Sequence, residues 1–184
     1  MKYIRRFESV SKDVYKLEYC SKHLKELPEL PEELIELDCS DNELESLPDL
    51  PKELKTLNCW ENSIHKLPEL PITLEYLSCE HNKLESLPEL PKKLKELYCS
   101  NNKIKELPKI PSGLKVLYCH DNNLNYLPEE IPTSIWKIVC PNNNLPYIDL
   151  DEYRKWIFDN QGLIKEFGWI GAHDFYREKN SFNL

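Results

Sequence analysis

The chain has 184 residues, an apolar fraction of 40% and a formal net charge of −8 at pH 7. This length suits one domain with its own core, whereas the acidic balance disfavours nucleic acid and anionic membranes as main partners. Because the first residues lack the apolar stretch of a signal peptide and no apolar run approaches the ~20 residues of a membrane span, we expect an intracellular protein with no membrane segment.

Residues 1–13 contain no repeat and are predicted to form an N-terminal cap. An open array of stacked units exposes an apolar edge at each end unless other residues cover it. Apolar side chains recur in this segment at Met1, Ile4, Phe7 and Val10. We therefore expect these side chains to cover the first unit of the array that follows.

A degenerate copy of a recurring phrase begins at Val14. The regular phrase is Leu-x-x-Leu-x-Cys-x-x-Asn, but here the asparagine position holds Lys22 and Cys20 lies one place beyond the cysteine position. We predict that Tyr19 takes the buried place in this copy. Cys20 is then expected on the open face, as the one cysteine accessible to reagents.

The phrase then returns in regular form six times, up to residue 148, with a period of 20 residues and a single one-residue slip. Units this short cannot bury their own apolar face, so the period predicts a stacked solenoid. The cysteines of the phrase are Cys39, Cys59, Cys79, Cys99, Cys119 and Cys140. Its asparagines are Asn42, Asn62, Asn82, Asn102, Asn122 and Asn143.

Each phrase predicts a short strand followed by a turn. Leu77 and Cys79 alternate with polar or aromatic neighbours, which is the period of a strand with one buried face. We interpret the six cysteines as small core side chains, with a metal cluster or a redox ladder as the alternative. We interpret the asparagines as hydrogen-bond partners of backbone groups in the turns of adjacent coils. A side-chain amide can be buried there because its hydrogen bonds are satisfied.

The return arm of each coil contains two prolines three residues apart. Such a pair removes backbone donors and pushes the preceding residues into extended geometry, which excludes a regular helix. We therefore predict extended or polyproline-like arms, with a proline-rich docking peptide as the alternative. The Leu-Pro-x-Leu-Pro arms lie at residues 27–31, 47–51, 67–71 and 87–91, with Ile110 in the arm at 107–111 and one added residue between Pro128 and Pro132.

After residue 148 the periodicity becomes helical, which predicts a C-terminal cap over residues 149–184. Leu150, Tyr153 and Trp156 fall on one stripe, Asp149 is a candidate N-cap and Gly162 a candidate stop. The sequence thus predicts a helix at about residues 150–161. The alternative interpretations are a second docking site or a dimer surface.

Residues 14–148 together resemble the short, bacterial-effector type of leucine-rich repeat found in the YopM and IpaH families, and the cysteine form of the repeat is most similar to giant-virus examples. The resemblance implies a leucine-rich-repeat solenoid with a parallel β-sheet on its concave face and extended convex arms. It also implies a host-cell cytoplasmic setting if the source is viral. IpaH-like proteins carry a ubiquitin-ligase domain with a catalytic cysteine, and residues 149–184 contain no cysteine. We therefore expect no ligase domain and no catalytic residues, and we expect that the protein is not an enzyme.

The residues between the buried ones form four columns on the predicted concave face, the usual binding surface of a solenoid. Of these 24 positions seven are acidic and one, Lys137, is basic. Tyrosine and tryptophan are enriched in binding hot spots, although β-propensity alone can also place them on a sheet. The predicted contact residues are Trp60, Tyr76, Tyr98, Tyr118, Glu61, Glu80, His81, His120 and Asp121.

We therefore predict a non-enzymatic module that binds a protein with a basic or mixed surface. The alternative is a structural protein that self-associates through its end caps, although a monomer is expected. Zinc between His81 and His120 is the main chemical alternative on the face. These residues are two coils, and so about 10 Å, apart, which is too far to share one ion. We expect no metal and no cofactor.

Overall fold

A computed structural model describes residues 15–147 and 149–181. The predicted N-terminal cap at residues 1–13, together with residues 14, 148 and 182–184, lies outside the described residues. Parallel strands form one seven-stranded sheet in chain order. The strands are β1 (Tyr15–Glu18), β2 (Leu34–Asp38), β3 (Thr56–Asn58), β4 (Tyr76–Ser78), β5 (Glu96–Tyr98), β6 (Val116–Tyr118) and β7 (Lys137–Val139).

The register of the sheet follows the sequence period. Leu57 pairs with Leu77, and each later strand pairs at the same 20-residue offset until Leu117 pairs with Ile138 across the one-residue slip. The added residue is therefore absorbed in the return arm before β7. This arrangement confirms the predicted fold, a solenoid of stacked coils with a parallel sheet and a helical C-terminal region.

The first strand follows the same register after one irregularity between Tyr15 and Lys16. The Tyr19 amide donates to Asp38, one coil ahead, as the Cys39 amide donates to Asn58. Tyr19 therefore occupies the ladder position of the degenerate coil and is half-buried. Cys20 is exposed.

The core is a column of leucines and isoleucines between the sheet and the return arms. Leu37, Leu57, Leu77, Leu97 and Leu117 are all 0–1% exposed. Burying such a side chain contributes roughly 1.5–3 kcal/mol. Because each unit offers only a few of them, this stabilisation is realised between coils and not within one.

The ladder asparagines satisfy the backbone of the turns. The Asn82 amide nitrogen donates to the carbonyls of Cys59, Cys79 and Glu80 at 3.0–3.2 Å, and its oxygen accepts from the Ile64 amide at 2.9 Å. Asn42, Asn62, Asn102, Asn122 and Asn143 make the same kinds of bond. Each asparagine thus links two coils through one side chain.

The return arms of the described repeat coils contain no helix. After the second proline of each arm a turn closes, as the Leu54 amide donates to the Pro51 carbonyl at 3.1 Å and the Leu74 amide to Pro71 at 3.0 Å. The prolines hold the arm extended, so the next strand can begin three to five residues after the second proline. This short return accounts for the 20-residue period.

Two helices follow β7, α1 (Leu150–Asp159) and α2 (Gln161–Ser181). Asp149 is the N-cap of α1 and accepts from the amides of Asp151 and Glu152. The prediction placed the helix end near residue 161 with Gly162 as the stop. Instead α1 ends at Asp159, and α2 includes Gly162 and bends at Gly168, whose φ of 72° is not helical.

The helices cover the last coil through aromatic side chains. Tyr153 donates to the carbonyls of Pro128 and Glu129, and the Trp169 indole donates to the Leu127 carbonyl at 2.8 Å. The return arm lengthened by one residue is therefore the arm that contacts the cap. Within the described residues, neither helix is long and apolar enough to cross a membrane.

Candidate functional site

The open face of the sheet, opposite the leucine core, carries the predicted contact residues. Tyr76 lies at the first position of β4, whereas Tyr98 and Tyr118 lie at the last position of β5 and β6. All three tyrosines are half-buried. We call these three residues the tyrosine strip.

The rings of the tyrosine strip are in mutual contact across three strands. The ring centroids of Tyr76 and Tyr98 are 5.4 Å apart with a tilt of 39°, and those of Tyr98 and Tyr118 are 5.2 Å apart with a tilt of 21°. These separations are typical of favourable aromatic pairs. The strip is therefore an ordered apolar surface in which each ring restricts its neighbour.

Charged groups flank the strip at both sides. The Tyr98 hydroxyl donates to Glu96 at 2.9 Å, and the Lys137 ammonium lies 5.2 Å from the centroid of the Tyr118 ring. Desolvation, together with the bond to Glu96, raises the pKa of Tyr98, and desolvation also raises the pKa of Tyr76. Tyr76 and Tyr98 therefore stay protonated at neutral pH and offer hydroxyl groups rather than phenolates.

Trp60 belongs to the same face but not to the tyrosine strip. Its side chain is 38% exposed and lies one coil before Tyr76. On this face of the described chain, aromatic ring pairs join the three tyrosines to each other, and none of these pairs includes Trp60. The structure thus groups three of the four predicted aromatic residues and leaves Trp60 as a separate exposed ring.

Of the predicted polar contact residues, His120 and Asp121 contact each other, whereas the other three are exposed or partly exposed. The His120 ring contacts the Asp121 carboxylate at 2.5 Å, and the Asn142 amide donates to the other Asp121 oxygen at 2.8 Å. The His120 contact, followed by the Asn142 bond, lowers the pKa of Asp121. Glu61 and His81 are exposed, and Glu80 is partly exposed.

One backbone feature beside the open face was not predicted from the sequence. The residue before each ladder asparagine has a left-handed backbone, with φ between 50° and 56°. Among residues other than glycine, asparagine, aspartate and histidine adopt this conformation most often, and they fill five of the six regular positions, which was the available signal. The positions are Asp41, Glu61, His81, Asn101, Asp121 and Asn142.

The ladder cysteines are buried side chains of the core. The six are buried as free thiols, and burial raises the pKa of Cys39 to about 12 and that of Cys59 and Cys79 well above the ordinary value. Thiols with such pKa values are poor nucleophiles at neutral pH. Across residues 15–147 and 149–181, no group of three or more histidine, cysteine or acidic residues could hold a metal ion.

Comparison with known families and structures gives consistent similarities. A family model described as "Leucine Rich repeats (2 copies)" matches residues 72–112. A Shigella effector leucine-rich-repeat domain is 32% identical with a TM-score of 0.64, over 79% of this chain and 74% of that one. The search of curated proteins returned no match.

YopM structures from two Yersinia species are also similar to the chain. YopM from Yersinia enterocolitica WA-314 is 36% identical with a TM-score of 0.62, over 70% of this chain and 33% of that one. YopM from Yersinia pestis, described as a leucine-rich effector protein, is 34% identical with a TM-score of 0.56, over 65% and 41%. The chain therefore spans between a third and a half of the length of these two relatives.

Proposed function

The chain belongs to the leucine-rich-repeat family of the bacterial-effector type, and on this premise we propose that it binds a partner protein on the open face of its sheet, with the tyrosine strip at the centre of the contact. Leucine-rich-repeat proteins typically mediate protein–protein interaction, and the fold is generally a non-enzymatic scaffold. The observation that carries the proposal is the stacking of Tyr76, Tyr98 and Tyr118 across adjacent strands.

The strip has the properties of a binding hot spot. Ordered aromatic side chains bury a large area while losing little conformational freedom, and their hydroxyl groups can accept or donate at the rim. Binding normally costs the conformational entropy of the side chains that it orders. Because the tyrosines already constrain each other, much of that entropy is lost before a partner binds.

The surroundings of the strip favour a partner with a basic or mixed surface. Seven of the 24 open-face positions are acidic, and the single basic one, Lys137, lies against Tyr118. Complementary charge on a partner would speed association and fix its orientation. An origin in a giant virus and an action on a host protein remain part of this proposal.

Parallel affinity captures with matched baits test the proposal. One bait carries Trp60→Ala, Tyr98→Ala and Tyr118→Ala, and the control bait carries Lys66→Ala, Glu85→Ala and Lys105→Ala at exposed positions outside the open-face columns. We expect a protein retained by the wild type and the control bait to be lost from the aromatic variant. Titration of that purified protein should then show at least a tenfold loss of affinity, since hot-spot residues each contribute roughly 1–2 kcal/mol or more.

Equal retention by all three baits, with circular dichroism showing an intact fold, would place the binding surface elsewhere on the chain.

Assembly through the end cap is the second candidate, and one observation favours it. Phe158 of α1 is 75% exposed and Ile170 of α2 is 52% exposed, which is unusual for large apolar side chains on one small cap. Light scattering of a Phe158→Ser variant tests this candidate. A shift from oligomer to monomer would support it, and an unchanged mass would reject it.

A further inference from the structure

One lateral edge of the solenoid carries two hollows of opposite charge. This edge is formed by the return arms and by the residues that lead from them into the strands. The hollow near the start of the array has a volume of about 950 Å³ and the later one about 430 Å³. Neither hollow includes the tyrosine strip.

The first hollow lies between the first and second regular coils and is acidic. It is lined by five carboxylates and two ammonium groups, which gives a local net charge of −3. Apolar side chains, including Leu30, Ile35 and Leu50, also line it. The charged residues are Glu29, Glu32, Glu33, Asp49, Glu53, Lys52 and Lys55.

The second hollow lies between the fourth and fifth coils and is basic. Lys92, Lys93, Lys95 and Lys115 surround it with a single acid, Glu75, which gives a local net charge of +3. Glu75 contacts the Lys95 ammonium at 2.5 Å, and this contact lowers the pKa of Glu75. The edge thus bears a basic patch on a chain whose net charge is −8.

An exposed apolar side chain lies midway between the two hollows. Ile72, in the third coil, occupies the position that Lys52 and Lys92 occupy one coil before and one coil after it. It is 81% exposed, which is the highest value among the large exposed apolar side chains of the described residues. The centres of the two hollows are three coils, and so about 14 Å, apart, with Ile72 at the midpoint.

We propose that this edge binds a second copy of the chain in an antiparallel, two-fold symmetric dimer. A two-fold axis through the third coil exchanges the first coil with the fifth and the second with the fourth. Each acidic hollow then faces the basic hollow of the other copy, and the two Ile72 side chains meet at the axis. A self-complementary surface of this kind closes as a dimer and does not propagate into a fibre.

The pairing of Glu75 with Lys95 removes the main obstacle to this arrangement. Without it, the two Glu75 carboxylates would approach each other beside the axis with uncompensated charge. The dimer leaves the tyrosine strip open, so the proposal stands independently of the proposed function.

Charge reversal in both directions provides the test, with the dimer dissociation constant measured by sedimentation equilibrium. Asp49→Lys with Glu53→Lys inverts the acidic hollow, and Lys92→Glu with Lys93→Glu inverts the basic hollow. We expect either double variant to raise the dissociation constant by at least about tenfold, because like charges then face each other. The quadruple variant restores opposite charges and should bring the dissociation constant back toward the wild-type value.

Two further variants separate this edge from other contacts. Ile72→Ser should weaken the dimer by about tenfold, as loss of a central apolar contact does. Lys103→Glu with Lys105→Glu changes the net charge as much as the Lys92 and Lys93 substitutions do, at exposed lysines outside both hollows, and should leave the dissociation constant unchanged. Raising the salt concentration should weaken the wild-type dimer.

Three results would overturn the proposal. The first is a wild-type monomer at every concentration measured, which would leave the two hollows to another protein. The second is a dimer broken by Phe158→Ser but not by Ile72→Ser. The third is an open-ended series of larger assemblies, which a closed two-fold contact does not produce.

Discussion

At the residue scale, the ladder asparagines explain how 20-residue coils can bury polar backbone. Only an amide side chain offers both a donor and an acceptor with this reach, and Asn82 uses three carbonyls and one amide of neighbouring turns. Aspartate would have no group to donate to the carbonyls, and leucine would leave all four backbone groups unsatisfied. The ladder therefore specifies asparagine by its hydrogen-bonding capacity and not only by its size.

Replacing Asn82 with alanine should lower the free energy of unfolding by about 3 kcal/mol. The substitution leaves buried carbonyl and amide groups without their partner, and each such group costs roughly 1–3 kcal/mol, partly offset by relaxation and water. Urea denaturation monitored by circular dichroism measures the change. Asn123→Ala, at an exposed position two coils later, is the matched control and should change stability by less than about 0.5 kcal/mol. Equal effects of the two substitutions would show that the ladder bonds contribute little.

The residue scale also shows where sequence reasoning was limited. Period alone placed the asparagines, because a buried column repeats with the coil. The left-handed backbone at Glu61 was not predicted, since glutamate does not favour that conformation and the signal lies only in the other coils. Likewise, the contact between Tyr76 and Tyr98 depends on side-chain rotamers on two strands, which spacing does not determine.

At the element scale, β1 differs from the six strands that follow. Those strands lead directly into a buried cysteine, whereas β1 leads into Tyr19, and Cys20 falls one position later on the open face. Tyrosine is larger than cysteine and fits at the half-exposed end of the array, where no preceding regular coil restricts its volume. The displacement of Cys20 was predictable because the register of a strand determines which face each residue occupies.

This difference between the strands predicts the reactivity of the thiols. In the native protein at pH 8, we expect one thiol, that of Cys20, to react with an aromatic disulfide reagent within minutes, because burial raises the pKa of Cys39, Cys59, Cys79 and Cys99 and blocks access. All seven cysteines should react in guanidinium chloride. Absorbance of the released thiolate counts them, and a Cys20→Ser variant should show no rapid phase. Rapid reaction of two or more thiols in the native wild type would contradict the buried ladder.

In the C-terminal helices, the sequence predicted where the first helix starts but not where it ends. A second helix was not predicted, but the existence of α1 and its N-cap at Asp149 followed from local pattern, which depends on neighbouring residues. The boundary did not, because Asn160 ends α1 through bonds from its backbone and side chain to the Trp156 carbonyl, and Gly162 then continues into α2. In this cap it is Gly168, with its positive φ, that interrupts the helical backbone.

At the scale of the whole molecule, the described residues form a one-dimensional array with a helical cap at its C-terminal end. Each coil contacts its neighbours, so the stability of a coil depends on the coil before and the coil after it. At the C-terminal end, Trp156 and Tyr153 are buried against Tyr147, with ring centroids of Tyr147 and Trp156 5.9 Å apart. Loss of these contacts should therefore destabilise the adjacent coils more than the distant ones.

Trp156→Ala tests this dependence on distance from the cap. Truncating a buried tryptophan lowers the free energy of unfolding by about 3–5 kcal/mol. In a stacked array, the coils next to the substituted residue lose stability first. Hydrogen exchange should show large losses of protection in β6 and β7 and small ones in β2 and β3. Trp136→Ala, which truncates a tryptophan that is 66% exposed next to β7, should leave all strands near wild-type protection. A uniform loss across β2 to β7 would instead mean that the solenoid opens as one cooperative unit, so that the cap stabilises the first coil as strongly as the last.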